Sequence, residues 1–212
     1  MKQVILFGIT LAVLLFVPAG PVARAEADVL LNEIMADPAR DWDGDQAYNF
    51  RDDEWVEILN TGTESVVLDG YRLASADSVW RYEFSGSLDP GDHALVFGSE
   101  SHAWEQTTGN PAFGLRLANT GGTLVLWRLS VTDSVIVDSY TWQDHEADDD
   151  RSTGRFPDGA EEWRVFDVIN PYSGGTPPSG SGCAPSPGLI ISCPLPVKSE
   201  TWGRIKALYV GN

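Results

Sequence analysis

The stretch Glu54-Trp55-Val56-Glu57-Ile58-Leu59-Asn60 reads as a strand covered on both faces. Successive side chains of an extended chain point to opposite sides, so Val56 and Ile58 share one face and Trp55 and Leu59 the other. Asn60-Thr61-Gly62 is a turn signal that ends the run. Outward from it, short runs rich in Val, Leu, Trp and Tyr alternate with turn residues. Strands are predicted at 29–35, 66–73, 79–84, 94–97, 113–117, 123–129, 135–142 and 163–166. Asp89-Pro90-Gly91, Asn119-Thr120-Gly121-Gly122 and Pro157-Asp158-Gly159 punctuate them. In 123–129, Leu124 and Leu126 share one face and Val125, Trp127 and Leu129 the other, the pattern of a central strand. No run of about 12 residues carries a sustained helical stripe. Regular strand spacing without helices predicts an all-β sandwich, with Val56, Ile58, Leu68, Leu73, Leu95, Leu124, Leu126 and Val137 in its core.

The ends of the chain read differently. Residues 1–25 form a secretory signal peptide: Lys2 is the positive end, 4–17 is an uncharged apolar run, and Ala23-Arg24-Ala25 fits the small-x-small rule for cleavage before Glu26. An uncleaved membrane anchor is the alternative, although the run is short against the roughly 20 residues of a span. Cleavage removes Lys2 and Arg24 and no acid, so the charge of −17 for 212 residues becomes −19 in the mature chain. Secretion to the outside or the cell surface is expected, with no stable membrane span after cleavage. Such a charge repels nucleic acid and anionic lipid, whose recognition takes clustered Lys and Arg, and it favours cations.

The sandwich is expected over 26–170. Residues 171–188, dominated by Gly, Pro and Ser, read as a linker that does not pack, and 189–212 as a separable C-terminal tail. Trp202, Ile205 and Leu208 in that tail have the spacing of one or two helical turns. Lys198, Arg204 and Lys206 make it the basic segment of an acidic chain, compatible with a sorting or anchoring tag. Cys183 and Cys193 are the two cysteines, and export favours a disulfide between them. It would close a short loop, adding about 2–3 kcal/mol locally without stapling the sandwich.

Six fragments occur in one order: Asn32-Glu33-Ile34, 54–60, 67–73, Leu88-Asp89-Pro90-Gly91, 117–126 and 150–159. Together they resemble the lamin tail domain, an immunoglobulin-like β-sandwich, over residues 29–166. In this resemblance 54–60 is the second core strand, 67–73 the strand after it, and Arg151-Ser152-Thr153-Gly154-Arg155 with Phe156-Pro157-Asp158-Gly159 the closing loop before the last strand. No heptad repeat of a coiled-coil rod is present, so the chain resembles the stand-alone, secreted bacterial type. The resemblance implies a binding or structural module and no catalytic residues. Animal members bind proteins and, through basic residues, DNA; the acidic charge here argues against DNA. An unidentified protein or cell-surface polymer is the expected partner. The alternative is an accessory domain of a secreted hydrolase or nuclease system, because the family's modules also occur fused to secreted nucleases.

The sharpest chemical feature is the acidic stretch 41–54. A hard cation such as calcium takes six to eight oxygens, and alternate carboxylates supply several within one turn of irregular chain. Asp41, Asp43, Asp45, Asn49, Asp52 and Asp53 are the candidate ligands, with the Ala47 carbonyl between them. Gly44 stands at the fourth loop position where the usual pattern has glycine at the sixth, and Asp52 replaces the usual glutamate. The competing reading is a solvated acidic loop. The second acidic run, 144–150, reads as a solvated loop, with a metal role for His145 beside Asp144 or Glu146 as the sharper alternative. Most of the eight tryptophans read as core or rim packing, with a sugar- or peptide-stacking platform as the sharper reading. Neither His93 nor His102 lies in a recognisable triad pattern.

Overall fold

The computed structural model describes residues 28–109, 113–191 and 193. The expected signal peptide and the segment holding Trp202, Ile205 and Leu208 lie outside them. In chain order the elements are β1 (Val29–Met35), β2 (Trp55–Asn60), β3 (Val66–Val67), β4 (Tyr71–Ser75), β5 (Trp80–Glu83), β6 (Ser87–Leu88), β7 (His93–Phe97), α1 (Gly98–Thr108), β8 (Gly121–Leu129), β9 (Ser134–Gln143), a single 3-10 turn (Asp144–Glu146), β10 (Ser152–Arg155) and β11 (Trp163–Phe166). Two antiparallel sheets, ordered β11-β10-β1-β2-β7 and β5-β4-β8-β9, enclose one core, with the small pair β3-β6 beside them. This is an all-β, immunoglobulin-like sandwich.

Alternation places the core. Val56 and Ile58 of β2 meet Leu73 of β4 and Leu124 and Leu126 of β8, all fully buried. Burial of each such side chain contributes ~1.5–3 kcal/mol. A β-bulge in β1 decides what faces outward. The β1–β2 register shifts between Leu31 and Glu33. Before the shift Val29 and Leu31 point into the core; after it Ile34 and Ala36 do. One extra residue thus reverses the parity of the strand and leaves Glu33 on the outer face.

Several expectations need correction. Leu95 is only half-buried: it pairs with Glu57 on the outer face of the sheet, and its neighbour Val96, opposite Val56, is the core residue. Val137 packs against the core without being fully enclosed. Residues 113–117 form no strand, because Phe113, Gly114 and Arg116 all adopt positive φ (63°, 80° and 52°), although Leu115 and Leu117 enter the core. The run 66–73 divides at Gly70, whose φ of 88° turns the chain; a Cβ there would stand 2.6 Å from the Leu129 carbonyl oxygen.

The helix α1 is absent from the sequence reading for a physical reason. Its inward face consists of Gly98, Ser101 and Glu105, so no apolar stripe marks it. Polar bonds hold it instead: Ser101 Oγ donates to the Arg81 carbonyl at 2.7 Å, and Glu105 accepts the Gly114 N–H. Gly98 lies so close to Arg51 that a Cβ would overlap the Arg51 carbonyl oxygen.

The stretch expected to be a linker is packed. Residues 179–181 run parallel to β11, with Val165 N–H donating to Ser179 O and Ser181 N–H to Val165 O. Asp167 accepts the Gly182 N–H at 2.8 Å and Val168 donates to Cys183 O at 3.0 Å. Cys183 is fully buried and bonded to Cys193, so the disulfide loop lies on the sandwich rather than beyond it. Glycine and proline content signalled the lack of regular structure; carboxylates on the sheet supply the missing hydrogen-bond partners.

Candidate functional site

The loop between β1 and β2 is organised by Asp53. Its side chain is buried and accepts three backbone N–H groups, from Trp42 (2.6 Å), Asp43 (3.1 Å) and Asn49 (2.8 Å). Asp53 is therefore the hub of the loop, with both oxygens spent on the chain itself. Asp41 accepts from Gly44 and Gln46, Asp43 from Asp45, and Asp45 from Ala47, a series of side-chain-to-backbone turns. These turns bring one oxygen of each of Asp41, Asp43 and Asp45 within 4.8 Å of one another at the surface. Asn49 and Asp52 do not join them; they bond to each other at 2.6 Å. The six candidate ligands thus divide into a converging trio, a separate pair and an internal hub.

The second acidic run meets the first. Asp150, with φ 56°, accepts from Ala39 N–H, Arg40 Nε and Trp42 Nε1 and so clamps the β1–β2 loop from the segment that leads into β10, the neighbour of β1 in the same sheet. Asp37 comes within reach of Asp148 and Asp149, and burial together with those two charges raises its pKa. Glu146 turns inward, accepting from Tyr140 OH, Thr153 Oγ1 and the Gln143 N–H. His145 instead packs on Tyr172 and lies 4.0 Å from Asp144, so the run does not assemble His145 with Glu146 as a ligand pair.

Tryptophan placement is mostly structural. Trp55 and Trp142 are buried, Trp42 packs edge-on against Trp55, and Trp163 stacks on Tyr140 at 3.6 Å. A shallow hollow beside the acidic loop is lined by Asn49, Arg51, Asp52, His102 and Phe113, with Arg51 over the rings of Phe50 and Phe113.

A third group lies on the outer face of the first sheet. Glu33 and Glu57 are cross-strand partners and both are fully buried. Glu33 accepts from Ser152 Oγ at 2.5 Å and from the N–H and Oγ of Ser186. Glu57 accepts from Asn32 Nδ2 at 2.8 Å and from the Gly188 N–H at 2.7 Å. The same Asn32 amide donates to Asp158, which also accepts the Ile191 N–H. Among the described residues His93 Nε2 has no hydrogen-bond partner; it sits 3.8 Å from Glu57 and 4.0 Å from Asp158. Burial pushes the Glu33 carboxyl up to about 8, against the lowering effect of its serine donors, and the Glu57 carboxyl up to about 7. Gly154 makes room for this group: a Cβ there would stand 3.0 Å from Glu33 Cγ.

The family model for the Lamin Tail Domain matches residues 22–144, more than half of the chain. The chain belongs to the lamin tail domain family. No curated protein and no solved structure matches it. The matched span carries β1 to β9 and the acidic loop of this lamin tail domain; β10, β11 and the disulfide loop follow it. The 150–159 fragment lies beyond the match, yet β10 from that fragment completes the sheet beside β1.

Sequence reading missed the outer-face carboxylates of the lamin tail domain. Glu33 and Glu57 each stood in an apolar run, and a charged residue at an otherwise buried position was the available signal. Their partner Asp158 lies in a turn more than 100 residues away, and Ser186 in the presumed linker, so only the fold unites them.

Proposed function

We propose that this lamin tail domain is an exported, non-catalytic binding module that engages a protein or polymer at the cell surface. Family membership carries the reading, because members are defined by the sandwich and not by a reaction centre. The net charge of −17 supports a partner other than nucleic acid. The convergence of Asp41, Asp43 and Asp45 at an exposed loop tip supports calcium as an ion bound there, with further oxygens from water.

Fractionation of the source cell and N-terminal sequencing of the protein test export: a chain beginning at Glu26 in the outer fraction is expected. Purified protein added to intact cells should then bind saturably. A cytoplasmic protein beginning at Met1 overturns export, and saturable binding to duplex DNA at physiological salt overturns the partner class.

A further inference from the structure

The disulfide loop is attached to the sandwich in two unlike ways. The segment leading into it, 179–183, is joined to β11 and the chain after it by backbone bonds and by Asp167. Within the loop, 186–191 reaches the sheet through carboxylates. Ser186 donates to Glu33, Gly188 to Glu57 and Ile191 to Asp158, while the Leu189 N–H is spent within the loop on Ser186 O. Apolar anchoring is slight at the far end: Leu189 is 68% exposed and Ile190 74%. Releasing 186–191 therefore breaks no rung of the β1–β2 ladder.

The groups beneath it are of one sign. Glu33 comes from β1, Glu57 from β2 and Asp158 from the turn between β10 and β11; His93 of β7 faces the last two. Asn32, Ser152 and Ser186 complete the surroundings as neutral donors. Among the described residues no arginine or lysine forms an ion pair with any of the three carboxylates. Covering Glu33 and Glu57 removes water from two carboxyls that stand directly opposite each other, where like charges repel.

We propose that 186–191 is a flap, held shut by hydrogen bonds to Glu33, Glu57 and Asp158, that opens as pH rises and uncovers this carboxylate groove while the Cys183–Cys193 disulfide limits its travel.

The direction follows from proton linkage. In the closed form burial holds Glu33 up to about 8 and Glu57 up to about 7, so closure retains protons that hydrated carboxyls have already lost. Opening returns water to both groups and releases those protons. Rising pH therefore favours the open form, and the sandwich survives because its core lies on the opposite face of β1 and β2.

Amide hydrogen exchange on the full, oxidised chain tests this, read as protection factors between pH 6 and 8.5. The Ser186, Gly188 and Ile191 amides should lose protection with pH, approaching tenfold per pH unit where one proton is released. The amides of Ile34 and Val56 in the β1–β2 ladder should stay protected. Glu33→Gln is the matched control: it cannot ionise, and the Ser186 hydroxyl can turn to accept from its amide. Flap protection in that variant should fall less steeply with pH, because only Glu57 is left to release a proton on opening. Flap and ladder amides that lose protection together, flap protection that does not change with pH, or a Glu33→Gln profile equal to wild type would each overturn the proposal.

Discussion

Glu33 and Glu57 face each other across β1 and β2 with no exposure to solvent, on the side of the sheet away from the hydrophobic core. A sandwich strand ordinarily shows water its polar face; here that face is roofed by Ser186 and Gly188. The bulge at Leu31–Glu33 creates the relationship, since without it Glu33 would point into the core.

Stability should therefore fall as pH rises. Glu33, Glu57 and Glu54 all have folded-state pKa values raised by burial, to about 8, 7 and 8, above their ordinary 4.5. The folded state binds more protons than the unfolded chain between those limits. The contribution is fully present below about 4.5 and lost as pH passes through 7 to 8. Urea midpoints measured from pH 5 to 9 should decline. Added salt should leave the decline in place, because buried groups are screened far less than surface charge. A midpoint that climbs over this range would contradict the assignment.

Two leucines separate the real core from the expected one. Leu124→Ala should cost about 2–5 kcal/mol, since Leu124 is fully enclosed between the sheets. Leu95→Ala should cost much less, because Leu95 is half-exposed on the outer face beside Gly188. Equal losses in chemical denaturation would mean that the β7 register is not Glu57 opposite Leu95.

What the sequence revealed depended on which force shaped each element. Strands built by hydrophobic alternation were legible: β1 and β11 begin and end where the runs at 29–35 and 163–166 do. Elements held by polar bonds were not. The inward face of α1 is glycine, serine and glutamate, and the flap is held by N–H donors that any residue except proline possesses. At the acidic loop the alternation of Asp41, Asp43 and Asp45 predicted convergence, but nothing in composition told that Asp53 turns inward to bind three amides.

Gly98→Ala should be severely destabilising. The added methyl meets the Arg51 carbonyl, which is backbone and tied to the strand that follows. Overpacking of this kind costs about 1–3 kcal/mol when neighbours can shift. Here the Gly98 N–H is also bonded to the Glu54 carbonyl at 2.7 Å, so relief by moving α1 sacrifices that bond. Gly91→Ala, with open space around it, isolates the cost of positive φ alone. A thermal melt in which Gly98→Ala is no worse than Gly91→Ala would show that α1 does not sit against Arg51.

Calcium should bind weakly at Asp41, Asp43 and Asp45. Their oxygens already converge, and a cation offsets the repulsion between them. Asn49 and Asp52 are paired elsewhere and Asp53 is committed to the backbone, so the protein offers fewer oxygens than a full six- to eight-coordinate shell and water must supply the rest. Affinity is then expected on the order of 0.1–1 mM, the range of extracellular modules. At half saturation the linked stabilisation is only ~0.4 kcal/mol, so a melting curve is a poor detector. Titration calorimetry on the oxidised full chain is the better one, with Asp43→Asn/Asp45→Asn as control. Both substitutions leave a side-chain oxygen able to accept the local turn bonds while removing charge. Wild-type heat that disappears in the control places calcium at this trio; heat equal in the two proteins would move it away, and no heat at several millimolar calcium would leave the loop as a solvated acidic turn.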